Sequence, residues 1–540
     1  MASSLTSIAS SGLKAAQMLL NTTSNNITNV YTDGYSRQTV TLSSTTTSSG
    51  VTISSVNRAY EELTVAQLRN ASASYAATSS YYDQISQIDS LLSSDDSSID
   101  TLLSNFFSSL SSLSANASDS SARQAVLSSA ESLVTQLQTI DDYLTSMDSA
   151  INQQITTSID QVNSYAEQIA ELNEQIAKLG SDSSSANALL DQRDQLINKL
   201  NDIIGVTVST QDDSVVTVSL SNGMTLVQGS TAYSLTTVTD STDTSRLTIA
   251  YDNGSGNLTN INESEISGGS IAGLFAVRDD IDSTRNTLGQ IALTLASNLN
   301  ELQSEGYDLS GDAGTDFFTY DDPSVSAYTT NSGSASLTAA YSDTSAVAAS
   351  DYTLAYKDGN WTVTKVSDGS TIDYTTSTDG DGNTALTFDG LTVTVSGAAD
   401  SGDSFTVESV SGVISSLSVA LSDGSLIAAA GTTDGDSDNS NLTKMQALQT
   451  SDLINGTYTL TESYAALIGN IGVKTSSADS LSTSQSTIVT TLTEQQQSVS
   501  GVNLDEEYVN LTAYQQYYSA CAQVLSTANN IFDSLLSAIN

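Results

Sequence analysis

Residues 503–540 constrain the chain most, because they contain neither Pro nor Gly and repeat apolar or small side chains in steps of four and three. The series runs Leu504, Tyr508, Leu511, Gln515, Tyr518, Ala522, Leu525, Asn529, Phe532, Leu536 and Ile539, with only Gln515 and Asn529 out of character. That spacing predicts a helix with one adhesive stripe, roughly 54 Å long at about 1.5 Å per residue. The first thirty residues offer a counterpart: Leu5, Ile8, Gly12, Ala15, Leu19, Thr22 and Asn26 repeat at the same steps, flanked by Leu13, Ala16 and Leu20. Small residues at Gly12, Ala15 and Ala16 let a second backbone approach closely. Such a stripe serves either another helix, in this chain or a copy of it, or an ordinary globular core; periodicity does not choose between them.

Short motifs do choose. Ser11, Gly12, Leu13, Lys14 and Ala15, then Asn25 to Val30, then Thr32, Asp33, Gly34, Tyr35, Ser36, Arg37 and Gln38 together resemble the N-terminal signature of the axial proteins of the bacterial flagellum, the rod, hook and hook-associated proteins. The closing run 498–507, followed by Asn510, Leu511 and Tyr514 to Gln516, resembles the hook-associated members that join hook to filament. The runs 189–196, 273–279 and 306–318 resemble them again, so the likeness reaches the helical middle. One position departs: the family commonly carries Pro where this chain has Asp33. The resemblance implies a structural, non-catalytic subunit that packs its terminal helices into a tubular wall. It implies self-association, contact with the hook subunit and a second junction protein, an export chaperone, and passage out of the cell through the flagellum's own export channel to an extracellular site. The implied assembly residues are Leu5, Ile8, Leu19, Asn25, Asn26, Asn29, Gly34, Tyr35, Arg37, Leu504, Leu511, Gln515, Tyr518, Leu525, Phe532 and Leu536.

Composition narrows the alternatives. The 15 Lys+Arg against 61 Asp+Glu give a net charge of −46, which argues against binding nucleic acid or an anionic membrane through a basic surface. With no His and a single Cys, Cys521, the chain lacks the commonest general base, the serine-hydrolase triad, a thiolate zinc cluster and any intrachain disulfide. No run of eighteen apolar residues suggests a membrane span, and no apolar segment follows Lys14 as a cleavable signal would require. No cofactor is expected. The set Ser11 to Lys14, Ser437 to Asn439 and Lys474 to Ser476 imitates a penicillin-binding enzyme, but its first motif lies too near the N-terminus to follow a sheet strand, and its third lacks Gly. The runs beginning at Asp379 and Asp434 imitate calcium loops, yet the sixth and twelfth positions hold Thr384 and Gly390, and Asn439 and Met445. Turn chemistry explains both.

At 540 residues several domains are expected. The fold class read here is multidomain and mainly α with an inserted all-β domain, its N- and C-terminal helices paired in a coiled-coil-like unit. Residues 1–60 with 500–540 form that terminal unit and an adjoining ribbon over 39–56; 61–320 with 441–499 form a helical rod with a small β region at 205–260; 321–440 form the surface-exposed insertion. Within the rod, helices are expected to about Leu92, over 97–113, 122–179, 186–204 and 270–304, and helical texture resumes from Asn441. In the insertion, the dipeptides Asp358-Gly359, Asp368-Gly369, Asp389-Gly390 and Asp423-Gly424 mark turns, and Trp361 anchors a small core. Arg193 reads either as an inter-subunit contact or, the favoured reading, as part of a solvated helix face or a local pair. Two other readings remain: another axial subunit of hook or filament, or a secreted adhesin or hydrolase using the insertion.

Overall fold

The structure, a computed structural model, describes residues 2–45, 50–94, 98–179, 184–210, 215–378, 380, 382–433 and 437–539. The helix stop expected at Gly180 to Asp182, the residues Asp379, Asp381 and Asp434 to Asp436 of the calcium-like runs, and the side chain of Leu536 lie outside the described residues.

Helices dominate. They are α1 (Ala2–Thr28), α2 (Glu62–Leu92), α3 (Ile99–Ala115), α4 (Ser120–Leu179), α5 (Ser184–Ile203), α6 (Ser270–Glu305), the single turn α7 (Val413–Ser416), α8 (Ser440–Ala447), α9 (Leu460–Ser500) and α10 (Leu504–Ile539). The 60-residue α4 spans roughly 90 Å at about 1.5 Å per residue. It stays amphipathic throughout: Leu133, Leu137, Leu144, Ile151, Ile155, Ile159, Val162, Ile169 and Ile176 are buried on one face while the other meets solvent. Asp119 starts it by accepting the backbone N–H groups of Ser121 and Ala122. In contrast α6 buries every residue from Leu288 to Ala296, Gln290 and Thr294 included, because neighbouring elements surround it there. A Cβ at Gly273 would lie 2.2 Å from the Ala77 carbonyl oxygen, so only Gly lets α6 approach α2 this closely. Helix α9 runs back along α2, where the buried Tyr464 hydroxyl donates to the Leu92 carbonyl at 2.8 Å.

Every strand pairing among the described residues is antiparallel. Strands β1 (Gln38–Ser44) and β2 (Val51–Arg58) form the predicted ribbon, with a register shift between Thr41 and Leu42. After α5 comes a four-stranded sheet over 206–232, and then a three-stranded one over 234–261. Between α6 and α8 lie a five-stranded sheet, a four-stranded sheet and a two-stranded pair of Phe318–Thr319 with Ser418–Val419. Hairpins fall where the Asp-Gly pairs put them: Asp358 and Gly359 both take positive φ (52° and 87°), as do Asp389 and Gly390 (39° and 75°). Asp423-Gly424 is different. Asp423 caps a 3-10 turn, Gly424–Leu426, through the Ser425 N–H at 2.7 Å, and this turn lies against α4, where Arg123 donates to the Gly424, Ser425 and Ile427 carbonyls. Trp361 sits between Tyr356 and Phe405, ring centroids 5.0 and 5.9 Å away.

One continuous apolar core runs through α2 to α9 and the sheets between them, and among the described residues none of α1 or α10 belongs to it. The terminal helices stand apart from that core and pair with each other. The helical stretch after Asn441 is broken at 451–459, where Asn455 and Gly456 take positive φ and Thr459 with Glu462 forms a reciprocal capping box that starts α9.

Candidate assembly site: the paired ends and their latch

Helices α1 and α10 lie antiparallel. Gly12 meets Cys521 and Tyr517, and a Cβ there would come within 2.7 Å of Cys521 Sγ. The buried line of α1 is Ala9, Gly12, Ala15, Ala16, Thr22, Thr23 and Asn26, so its small residues face the partner. Leu19 and Ile8 are half-buried beside that line, while Leu5 at the free end is exposed. The seam of α10 differs in phase from the sequence reading. Leu504, Leu511, Tyr518 and Leu525 turn inward as expected, and Ala522 is half-buried beside Cys521, but the other alternate positions are Glu507, Tyr514 and Ala528, one residue earlier than the predicted Tyr508, Gln515 and Asn529. Gln515 and Asn529 are exposed, as is Phe532, which extends past the covered part of the seam.

The two helices are locked where α1 ends and α10 begins. Gly34, at φ +71°, turns the chain back so that Asn26, buried at the end of α1, accepts the Tyr35 hydroxyl (2.8 Å) and the Gln38 N–H (3.0 Å) and donates to the Gln38 carbonyl (2.9 Å). Asn26 therefore ties its own protomer's turn. Asn25 and Asn29 bond each other locally, the Asn29 amide donating to the Asn25 carbonyl at 2.9 Å. Arg37 crosses to α10: its Nε meets Glu507 at 2.8 Å and its Nη2 meets Glu506 at 3.6 Å, while its backbone N–H donates to the Ser500 carbonyl at 2.8 Å. Glu507, 2% exposed, occupies the first turn of α10, where the helix dipole favours an anion. Asn503 caps that turn by accepting the Asp505 N–H at 3.0 Å.

A second connection reaches α5. Asp191 accepts the Ser36 N–H at 3.3 Å and Arg58 Nη1 at 2.7 Å; Arg58 also meets Asp194 at 2.9 Å, which in turn holds Arg69 at 3.0 Å. Gln195 donates to the Asp33 carbonyl. Burial raises the Asp191 carboxyl, opposed by Arg58 and Ser36, and burial beside Asp191 and Glu507 pushes the Tyr35 hydroxyl up to about 12. Arg193 is not on a solvated face: it is buried and donates to Asn173 Oδ1 at 2.9 Å, and burial lowers its pKa to about 10. Three separate sequence motifs, from Asn26 to Arg37, from Asp191 to Gln195, and Glu506 with Glu507, thus meet at one node. Sequence reasoning missed Arg58, whose partners lie 133 and 136 residues away.

What the pair leaves uncovered is as informative. Val509, Tyr517, Val524 and Ile531 of α10 stay exposed, and Leu5 with Ala520, Val524, Ala528 and Ile531 lines an apolar groove of about 360 Å³ along the edge of the α1–α10 seam. Residues 1–60 and 500–540 hold Lys14, Arg37 and Arg58 against Asp33, Asp505, Glu506, Glu507 and Asp533, a net of −2 in a chain of −46, and 508–532 contain no charge at all. Among the described residues no helix is long and apolar enough to cross a membrane.

Comparison with known proteins fits this geometry. Residues 7–35 match the family described as flagella basal body rod protein, and 495–538 match the flagellar basal body rod FlgEFG protein C-terminal family. The helices that lie side by side are therefore the head and tail of a flagellar axial protein. Residues 85–318 match the flagellar hook-associated protein FlgK helical domain, and 326–409 match the flagellar hook-associated protein 1 D2-like domain. Flagellar hook-associated protein 1 of Escherichia coli strain K12 is 43% identical over 99% of this chain and 100% of its own length, and that of Salmonella typhimurium is 44% identical over the same shares. The solved flagellar hook junction protein FlgK from Burkholderia pseudomallei superposes with a TM-score of 0.75 at 28% identity, covering 80% of this chain and all of that one. The chain belongs to the flagellar hook-associated protein 1 family.

Proposed function

We propose that this chain is a structural subunit of the flagellum, placed at the junction of hook and filament, and that it assembles through its α1–α10 pair. The observation that carries the proposal is the contrast in charge. Copies of a strongly anionic protein repel one another, whereas the terminal pair is nearly neutral and also exposes an apolar stripe. The pair supplies the wall contacts, with Leu5, Ile8, Leu19, Tyr518, Leu525 and Phe532 at or beside the seam and Val509, Val524 and Ile531 meeting sister copies. In this reading 61–320 with 441–499 form the rod outside the wall, and the sheets of 321–440 form an insertion on the exterior. The partners are further copies of this chain, the hook subunit and a second junction protein, with a chaperone covering the apolar ends before export without a cleaved signal. No reaction is assigned to it. Purified chain added to hooks that lack their junction protein tests the reading: restored filament attachment is expected, and hooks that stay bare would overturn it.

A further inference from the structure

The terminal pair meets the body through a set of ion pairs and hydrogen bonds beside the buried Val56. The chain links are short: 59–61 lead from β2 into α2, and 501–503 lead from α9 into α10. The lateral contacts are the Asp33 carbonyl on Gln195, Ser36 and Arg58 on Asp191, Arg58 on Asp194, and the Val56 carbonyl on Asn187 at 2.9 Å, all on α5, together with the Arg37 N–H on the Ser500 carbonyl at the end of α9. An apolar interface would weld the two parts, whereas ion pairs and single hydrogen bonds can be exchanged. Behind the node lies a cavity of about 500 Å³ lined by Arg58, Tyr60, Arg69, Leu190 and Asp194 among others. Tyr60, whose ring Arg58 covers at 5.0 Å, is itself partly open to solvent.

We propose that Arg58, Asp191 and Asp194 form a clip that sets the angle of the terminal pair against the body, and that it releases when Arg58 leaves the two carboxylates for the adjoining cavity. A released pair swings as a unit about 59–61 and 501–503, because the Arg37–Glu507 latch and the Gly12–Cys521 contact lie within the pair and are untouched. The value of such a swing, fitting one subunit between two differently spaced neighbours, rests on the junction reading above; the clip itself does not.

The test uses the isolated full chain. Small-angle X-ray scattering is compared for the natural protein and for Asp191→Asn/Asp194→Asn, with Arg58→Gln as a second variant that disarms the clip from the other side. Each is also followed by hydrogen exchange across α1. The expected result is a narrow pair-distance profile for the natural chain and a broadened, shifted one for both variants, with exchange in α1 within about twofold of the natural rate. Superimposable profiles in all three proteins would overturn the clip. So would exchange in α1 rising tenfold or more alongside the change in profile, since the node would then hold the helices together rather than set their angle. Neither outcome bears on filament attachment, so a failed clip and a failed junction reading are told apart.

Discussion

Replacing Arg37 by Ala removes the one cation that faces Glu507, a carboxylate only 2% exposed and 2.8 Å from the guanidinium. Breaking a fully buried pair from one side costs about 3–5 kcal/mol, because the remaining charge stays desolvated. Two features reduce that here. The Arg37 side chain is itself 24% exposed, so its removal admits water to Glu507, and the amides of the first turn of α10 still favour an anion. About 2–3 kcal/mol remains, or roughly a 30- to 150-fold shift in local opening at about 1.4 kcal/mol per factor of ten. A chain with several structural units has no single unfolding free energy, so the shift is read locally, by native-state hydrogen exchange of the amides of 508–512 at constant pH. Arg37→Ala should accelerate these amides by that factor, while Arg37→Ala/Glu507→Ala should accelerate them less, because no buried charge is stranded. Exchange within twofold of the natural protein after Arg37→Ala, or strictly additive single and double effects, would refute the latch.

Gly34→Ala places a Cβ 1.9 Å from Gln195 Nε2 at a φ of +71°, so it should displace Gln195 from the Asp33 carbonyl and cost about 1–3 kcal/mol, measurable as faster exchange at 26–38. Val524→Asp puts a charge on the uncovered stripe, so helicity and thermal midpoint should stay within error while attachment of filaments to bare hooks is lost. Asp351 precedes the strand Tyr352–Lys357 and lies against α6: burial pushes its carboxyl up from 3.8 to about 7, with Asp282 and Glu408 adding to the rise and the Asn286 amide, donating at 3.2 Å, opposing it. The folded state then binds the proton more tightly than the unfolded one, so this group's contribution is fully present below pH 3.8 and is lost as pH rises toward 7. Asp351→Asn should therefore raise the thermal midpoint at pH 8 and change it little at pH 4; an equal change at both would refute that assignment.

The long elements were legible because their periods are long. α4 and α6 fall within two residues of the expected bounds, since apolar residues at helical spacing over many turns admit no other reading. The phase of α10 was not legible. Apolar side chains also stand exposed at Tyr508, Val509, Tyr517 and Val524, so a three-four and a four-three alternation score alike, and the choice is made by the small residues of α1 and by Arg37 drawing Glu507 inward. Arg193 reads as a surface residue and Arg58 escapes notice because their partners, Asn173, Asp191 and Asp194, are set by how α4, α5 and β2 come together, which no local pattern encodes. The break before α9 was written in plain residues, with Asn455-Gly456 followed by Thr459 and Glu462, yet the apolar spacing across it concealed the stop.

The side-by-side placement of head and tail can be measured with one thiol. A Cβ at Gly12 would lie 3.7 Å from Cys521 Cβ, inside the roughly 3.5–4.5 Å that a disulfide spans. Gly12→Cys, oxidised mildly in dilute solution, should close on Cys521 within a single chain, leaving no free thiol and a monomer of altered mobility on a non-reducing gel. Two titratable thiols in the folded monomer, or cross-links formed only between chains, would contradict the pairing on which the wall, the latch and the clip all depend.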